Sequence, residues 1–222
     1  MQILLSLQRF KTEKMESFSL AHTIPVKSAV IQSYLGNLKF PKNKISDMGK
    51  NGEIIRLKKD LYVRGRAKIS KELISNHLYG VSYISLETAL AYYGMIPERV
   101  YTVRSITIRR AKTFSTPLGY FEYKTVSADY FSIGIHQEIV DNQYAFLIAT
   151  PTKAICDMIV VTPNLRLQSV KAMENYLIED LRMDFDVLRT LNTDIVKRCM
   201  EVGKKKTALR FLLRFLTEHT SN

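Results

Sequence analysis

The chain has 222 residues, 46% hydrophobic and 24% charged, a balance that excludes a disordered polymer and allows one large domain or two small ones. Lys and Arg number 33 against 21 Asp and Glu, a formal charge of +12. The excess is uneven: residues 1–68 hold 14 basic and 5 acidic side chains, whereas 69–222 hold 19 and 16, which points to a polyanion-binding module joined to a near-neutral domain. Nucleic acid is the leading polyanion and a membrane surface the second.

The start, MQILLSLQRFKTEK, has a short apolar patch with no charge before it and no small-residue cleavage site, so it is not read as a signal peptide. No apolar run approaches the roughly 20 residues of a bilayer span, and a cytoplasmic location is expected. Thr23-Ile-Pro25 opens a first helix, in which Val26, Ala29, Val30 and Leu35 recur at helical spacing until Gly36-Asn37. A second helix covers about 42–50 with Ile45 and Met48 inward, and Gly49 and Asn51-Gly52 close it. EIIRLKKDLYVRGR, 53–66, then reads as two short strands around a basic turn where Asp60 tolerates left-handed backbone angles. Helix, turn, helix and hairpin in this order make a winged helix-turn-helix, a unit that places one helix in the major groove of DNA.

On that reading Lys42, Lys44 and Lys50 on the second helix, with Arg56, Lys58, Lys59, Arg64 and Arg66 on the hairpin, neutralise phosphates, which positions a duplex without reading it. Asn43, Ser46 and Asp47 carry amide, hydroxyl and carboxylate groups that match base edges. The plainer alternative is that these lysines only solubilise a small helical subdomain, or that the charged hairpin edge only resists pairing with other chains.

KISKELISNHLYG, 68–80, forms a third helix with Ile69, Leu73, Ile74 and Leu78 on one face, and Gly65 lets the chain leave the hairpin toward it by a short, protease-accessible join, with each side folding on its own. In SYISLETALAYYGMIPE, 82–98, Ser85 caps a helix with Leu86, Ala89, Leu90 and Tyr93 inward, ended by Gly94. Alternation from Val100 to Ile148 marks four strands, at 103–110, 119–126, 130–139 and 144–149. Thr150-Pro151 starts a helix that buries Ala154, Ile155, Met158 and Ile159, and helices follow at about 168–181, 184–191, 193–202 and 204–218. Cys156 and Cys199, each in a helical pattern, are expected as buried free thiols.

Two blocks carry a resemblance. Tyr83-Ile84-Ser85-Leu86-Glu87, Ala89-Leu90, Tyr93-Gly94 and Pro97, followed by Ala149-Thr150-Pro151, Lys153-Ala154 and Asp157, resemble the AbiEi-type antitoxin family of bacterial abortive-infection systems, and the hairpin ending in Leu61-Tyr62-Val63 resembles the end of its winged helix. The similarity runs from about residue 25 to 162. Asp60 departs from the family's usual glycine in the wing turn, and Thr152 from its glutamate before the lysine. The resemblance implies a repressor of its own operon that binds operator DNA (inverted repeats in its own promoter). It also implies an antitoxin that counteracts a nucleotidyltransferase-like toxin encoded alongside, without a stable complex between the two.

Other chemistry is weaker. His136 and Glu138 mimic the H-x-E of zinc deaminases with no Pro-Cys-x-x-Cys to complete a site, so a strand histidine beside an outward carboxylate is the simpler reading. Glu179, Asp180, Asp184 and Asp186 have the makings of a Mg²⁺ site, but Asp184 also suits a helix cap with first-turn charges around it. Leu209, Leu212, Leu213 and Leu216, beside Arg210 and Arg214, suit a helix docked on its own domain or lying on a membrane, and Phe211 and Phe215 leave a dimer contact open. The expected fold class is α+β: a winged helix-turn-helix over 1–67, then over 68–222 a mixed domain with a mainly antiparallel sheet flanked by helices and a helical C-terminus. The expected function is that of a DNA-binding autorepressor and antitoxin, with no enzymatic activity, cofactor, metal or membrane partner. The alternative is an enzyme or effector acting on nucleic acid, which the winged helix only localises.

Overall fold

Strand β1 (Val26–Lys27), helices α1 (Ser28–Leu35) and α2 (Pro41–Lys50), and the hairpin β2 (Ile54–Lys58) and β3 (Leu61–Arg64) come first in the computed structural model, which describes residues 24–36, 38–65 and 69–220. The apolar start at 1–14, the Thr23 cap, Asn37 and the join at 66–68 with Arg66 lie outside the described residues. The first helix begins later than its spacing predicts. Val26 and Lys27 instead pair antiparallel with Tyr62 and Leu61, giving a three-stranded sheet in the order β1-β3-β2. Its inward face changes accordingly: Ile31 is buried, while Ala29 and Val30 are exposed. α2 matches its expected bounds because Pro41 suits its first turn and Ile45 and Met48 are its only buried residues.

The rest of the chain is built on a mixed six-stranded sheet in the order β6-β7-β5-β4-β9-β8, formed by β4 (Ser82–Ile84), β5 (Thr102–Thr107), β6 (Lys112–Thr116), β7 (Gly119–Thr125), β8 (Ile135–Val140) and β9 (Tyr144–Ala149). The pairs β4–β9 and β5–β7 are parallel; the other three are antiparallel. Helices α3 (Lys71–Tyr79), α4 (Leu86–Tyr92), the short α5 (Ala128–Phe131) and α6 (Pro151–Val161) intervene. Four further helices follow: α7 (Val170–Asn175), which runs into a π-helical turn at Tyr176–Asp180, then α8 (Phe185–Arg189), α9 (Thr193–Val202) and α10 (Lys206–Thr220). The chain is α+β with a helical C-terminus. Leu209, Leu212, Phe215 and Leu216 of α10 are buried in the main core, so this helix docks on its own domain. Among the described residues no helix is long and apolar enough to cross a membrane.

Pleating places the helices. Ser105 pairs with Ile84 and meets Ser75 of α3 at 2.8 Å, so α3 covers the face of Ser82 and Ile84. Tyr83 points to the opposite face, where its hydroxyl donates to Asp157 of α6 at 3.0 Å. Three expectations change here. Residues 130–139 are not one strand: Tyr130 and Phe131 end α5, and Gly134 at φ +61 separates them from β8. β4 and β6 are additional strands, the first only three residues long and the second a polar edge strand. Ser85 precedes α4 without a side-chain capping bond, because its hydroxyl donates to Asp157 at 2.6 Å. Leu86 follows it at φ 57, a left-handed conformation that costs a leucine about 1–2 kcal/mol.

Asp157 belongs to a buried polar centre. Its other carboxylate oxygen lies 3.0 Å from the Lys153 ammonium, and both side chains are 0% exposed. Lys153 also donates to the Tyr130 carbonyl at 3.0 Å and stands 3.2 Å from the centre of the Tyr130 ring. Gly134 passes directly over this lysine, where an added methyl would stand 3.0 Å from Lys153 Cβ.

The hairpin serves two cores. Ile54 joins Ile31, Ile45 and Met48 in a small cluster, whereas Leu57, Leu61 and Val63 belong to the main core. At about 1.5–3 kcal/mol for each fully buried aliphatic side chain, those three residues bind the N-terminal unit to the body substantially. Gly65 closes the hairpin: its N–H donates to Glu53 at 2.7 Å, and an added methyl would lie 1.8 Å from the Gly52 carbonyl oxygen. Gly65→Ala should therefore lower stability by about 1–3 kcal/mol, while Gly49→Ala, in α2 with nothing within 4 Å, should raise it by about 0.5–1 kcal/mol. Urea unfolding checks the pair, and equal effects would show that the hairpin exit is unconstrained.

Candidate nucleic-acid interface

With only Ile45 and Met48 turned inward, α2 exposes Lys42, Asn43, Lys44, Ser46, Asp47 and Lys50. Positions 42, 46 and 50 follow one another at the four-residue helical interval and share a face. That face borders an open cleft of about 550 Å³ whose opposite wall includes Arg56 and Tyr62 of the hairpin, and which Pro117 of the β6–β7 turn closes from the body side. Lys42, Ser46, Lys50 and Arg56 are thus brought together. Asn43, Lys44 and Asp47 lie outside this cleft, and the Asp47 carboxylate is 4.0 Å from Lys50. That exposed pair contributes little to stability.

The hairpin tip is held on two sides. Lys59 is exposed, and Asp60 adopts φ 60, the left-handed geometry read from its residue type. Ser28, at the start of α1, donates its N–H to the Asp60 carbonyl at 3.2 Å and its hydroxyl to the Asp60 carboxylate at 3.0 Å. Lys58 is half-buried and does not project from the tip with Lys59. Its ammonium donates to the Leu78 carbonyl at the end of α3 and lies 5.9 Å from the centre of the Phe114 ring. Burial, then the charges of Lys112, Arg109 and Lys27, push its pKa below the usual lysine value. The Arg56 guanidinium donates to the Lys58 carbonyl at 3.3 Å, and Arg64 is exposed at the end of β3, paired with Ile54. Spacing alone does not associate Arg109 and Lys112 with this region. Their only sequence signal is the basic run Arg109-Arg110-Ala111-Lys112 after a strand.

Several titratable groups elsewhere have structural partners. His136 Nε2 and Glu138 Oε2 are 3.3 Å apart on β8. Asp184 accepts from the Asp186 N–H at 2.8 Å as the cap of α8. Among the described residues no group of His, Cys, Asp and Glu is arranged to hold a metal ion. Cys156 and Cys199 are buried and free. Their mutual hydrogen bond raises the Cys156 pKa and lowers that of Cys199. Burial and then the Asp157 charge hold the Tyr83 phenol well above its ordinary pKa, so it remains a hydrogen-bond donor to that carboxylate. Searches against protein-family models and curated proteins find no match to this chain.

The tip geometry gives a test. Asp60→Ala loses the Ser28 bond and places alanine in a left-handed conformation, and should cost about 1–2 kcal/mol. Asp60→Gly loses the same bond but relieves the strain, and should change stability by less than about 0.5 kcal/mol. Urea midpoints separate the two, and equal losses would mean that backbone strain at Asp60 is negligible.

Proposed function

We propose that the N-terminal unit is a winged helix-turn-helix in which α2 enters the major groove of duplex DNA, and that the protein is a cytoplasmic repressor of its own operon rather than an enzyme. The order β1, α1, α2, hairpin supports this reading. The observation that carries it is the alignment of Lys42, Ser46 and Lys50 on one exposed face of α2, opposite Arg56 across an open cleft. Cations at these places suit phosphates, and the exposed Asn43 and Ser46 suit base edges.

The antitoxin role is the second part of the proposal and rests on the resemblance to the AbiEi-type family. On this reading the body counteracts a nucleotidyltransferase-like toxin encoded alongside, without a stable complex, while α2 represses transcription from operator repeats. Meeting of the two resembling blocks at Lys153, Asp157, Tyr83 and Ser85 supports treating them as one feature.

The full-length protein should bind a duplex from its own promoter with an affinity that falls by orders of magnitude between about 50 and 200 mM salt. Replacing Lys42, Lys44 and Lys50 with alanine should reduce the slope of log affinity against log salt by roughly 2 to 3, to a similar degree on operator and unrelated duplexes. The same variant, supplied from an unrelated promoter, should still protect cells from the toxin. A wild-type slope near zero would overturn the DNA reading, and protection lost in a folded variant would overturn the division of labour.

A further inference from the structure

We infer that the outer edge of β8 is a two-fold pairing surface for a second copy of this chain. β8 ends the six-stranded sheet, and among the described residues no strand pairs with its far side. The strand bonds to β9 on alternate residues. Thr150 donates its N–H to the Gly134 carbonyl at 2.8 Å, and Leu147, opposite Gln137, gives its N–H to Asn76 at 2.6 Å and not to β8. Alternation therefore turns the N–H and C=O of Ile135, Gln137 and Ile139 outward, away from β9. Free edges are ordinarily guarded by lysine, proline or a bulge. β8 has none of these: it reads Ile-His-Gln-Glu-Ile-Val, its register against β9 is unbroken, and Ile139 is 62% exposed. The opposite edge strand, β6, begins instead with the exposed Lys112.

The residues of β8 complement themselves. In an antiparallel pair centred on Gln137, that residue stands opposite Gln137 of the second copy, Ile135 opposite Ile139, and His136 opposite Glu138. Outward-facing residues then meet outward-facing residues, so each exchanges both backbone hydrogen bonds with its opposite. On one face the exposed Ile139 gains an isoleucine neighbour. On the other an imidazole faces a carboxylate, a favourable cross-strand combination. Within one chain His136 Nε2 and Glu138 Oε2 lie 3.3 Å apart, so pairing sets two such couples side by side. Other registers lose this match. A slip of one residue sets outward groups against residues already bonded to β9. Centring on Glu138 opposes two carboxylates, and centring on His136 opposes two imidazoles. The contact is isologous and closed, and it joins two six-stranded sheets into one.

The test is sedimentation equilibrium of the full chain, whose mass should rise with concentration toward twice 25.6 kDa in the high micromolar range. Ile139→Lys charges the edge, and Gln137→Pro removes its central N–H, which makes no bond to β9. Each should hold the mass at one chain, with a melting temperature near that of the wild type. Gln137→Cys reads the register. Its two copies would have Cα atoms about 5.5 Å apart, within disulfide reach, so oxidised glutathione should give a covalent dimer. Ile139→Cys, at about 13 Å from its counterpart along the strand, should not crosslink. The native Cys156 and Cys199 are buried and do not interfere. A wild type that remains one chain throughout would overturn the pairing. So would a dimer that persists in Ile139→Lys and Gln137→Pro, which would place the contact elsewhere, as on Phe211 of α10. Crosslinking at 139 but not at 137 would overturn it as well.

Discussion

A lysine and an aspartate with no solvent exposure lie at the centre of this protein, and much of the fold is arranged around making that tolerable. Removing both charges from water costs several kcal/mol per ion, which attraction offsets only when the remaining hydrogen-bonding capacity is filled. Here it is filled in part by neighbours: one oxygen of Asp157 accepts from Tyr83 and Ser85, the other faces the Lys153 ammonium as an ion pair, and Lys153 donates to the Tyr130 carbonyl while facing the Tyr130 ring. The consequences extend to the backbone. Ser85 gives its hydroxyl to this centre rather than to the start of α4, and Leu86 takes a left-handed conformation beside it. Helix α6 and strand β4 are clasped through these bonds across the sheet face, and the Tyr83 phenol stays protonated as a donor.

The basic surface lies on the other side of the architecture and depends on the hairpin. Leu57, Leu61 and Val63 enter the main core while Ile54 enters the small one, so the element that follows α2 is also the element that fixes it to the body. This sharing turns Lys58 inward and puts Pro117 at the mouth of the α2 cleft. Charge alone would predict a mobile basic wing. Apolar burial on the other face of the same strands outweighs it.

Local signals in the sequence read well where one physical rule dominates. α2, the hairpin and the helices from Pro151 onward follow proline, glycine and apolar spacing closely. β6 escapes detection because an edge strand of composition Lys-Thr-Phe-Ser-Thr buries little, and β4 because three residues show no period. Tyr130 to Ile139 looks like a continuous alternation only because Tyr130, Phe131 and Ile133 are buried for helical and loop reasons, with Gly134 breaking the chain after them. The resemblance singles out Tyr83, Ser85, Lys153 and Asp157, but not that they meet, since Tyr83 and Asp157 are 74 residues apart. Arg109 and Lys112 join Lys58 by the same long-range folding, which no local pattern encodes.

The proposed division between a structural polar centre and a DNA-binding basic surface is tested most directly by Lys153→Met, followed in parallel by thermal unfolding, duplex binding and protection against the proposed toxin. Leaving Asp157 buried without its cation should cost about 3–5 kcal/mol, a fall in melting temperature of roughly 6–20 °C at about 2–4 °C per kcal/mol for a chain of this size. At a temperature where the variant is folded, it should bind duplex DNA with the wild-type salt slope and still protect cells. A variant that melts like the wild type yet no longer protects would contradict the account, because the buried centre would then carry the function itself.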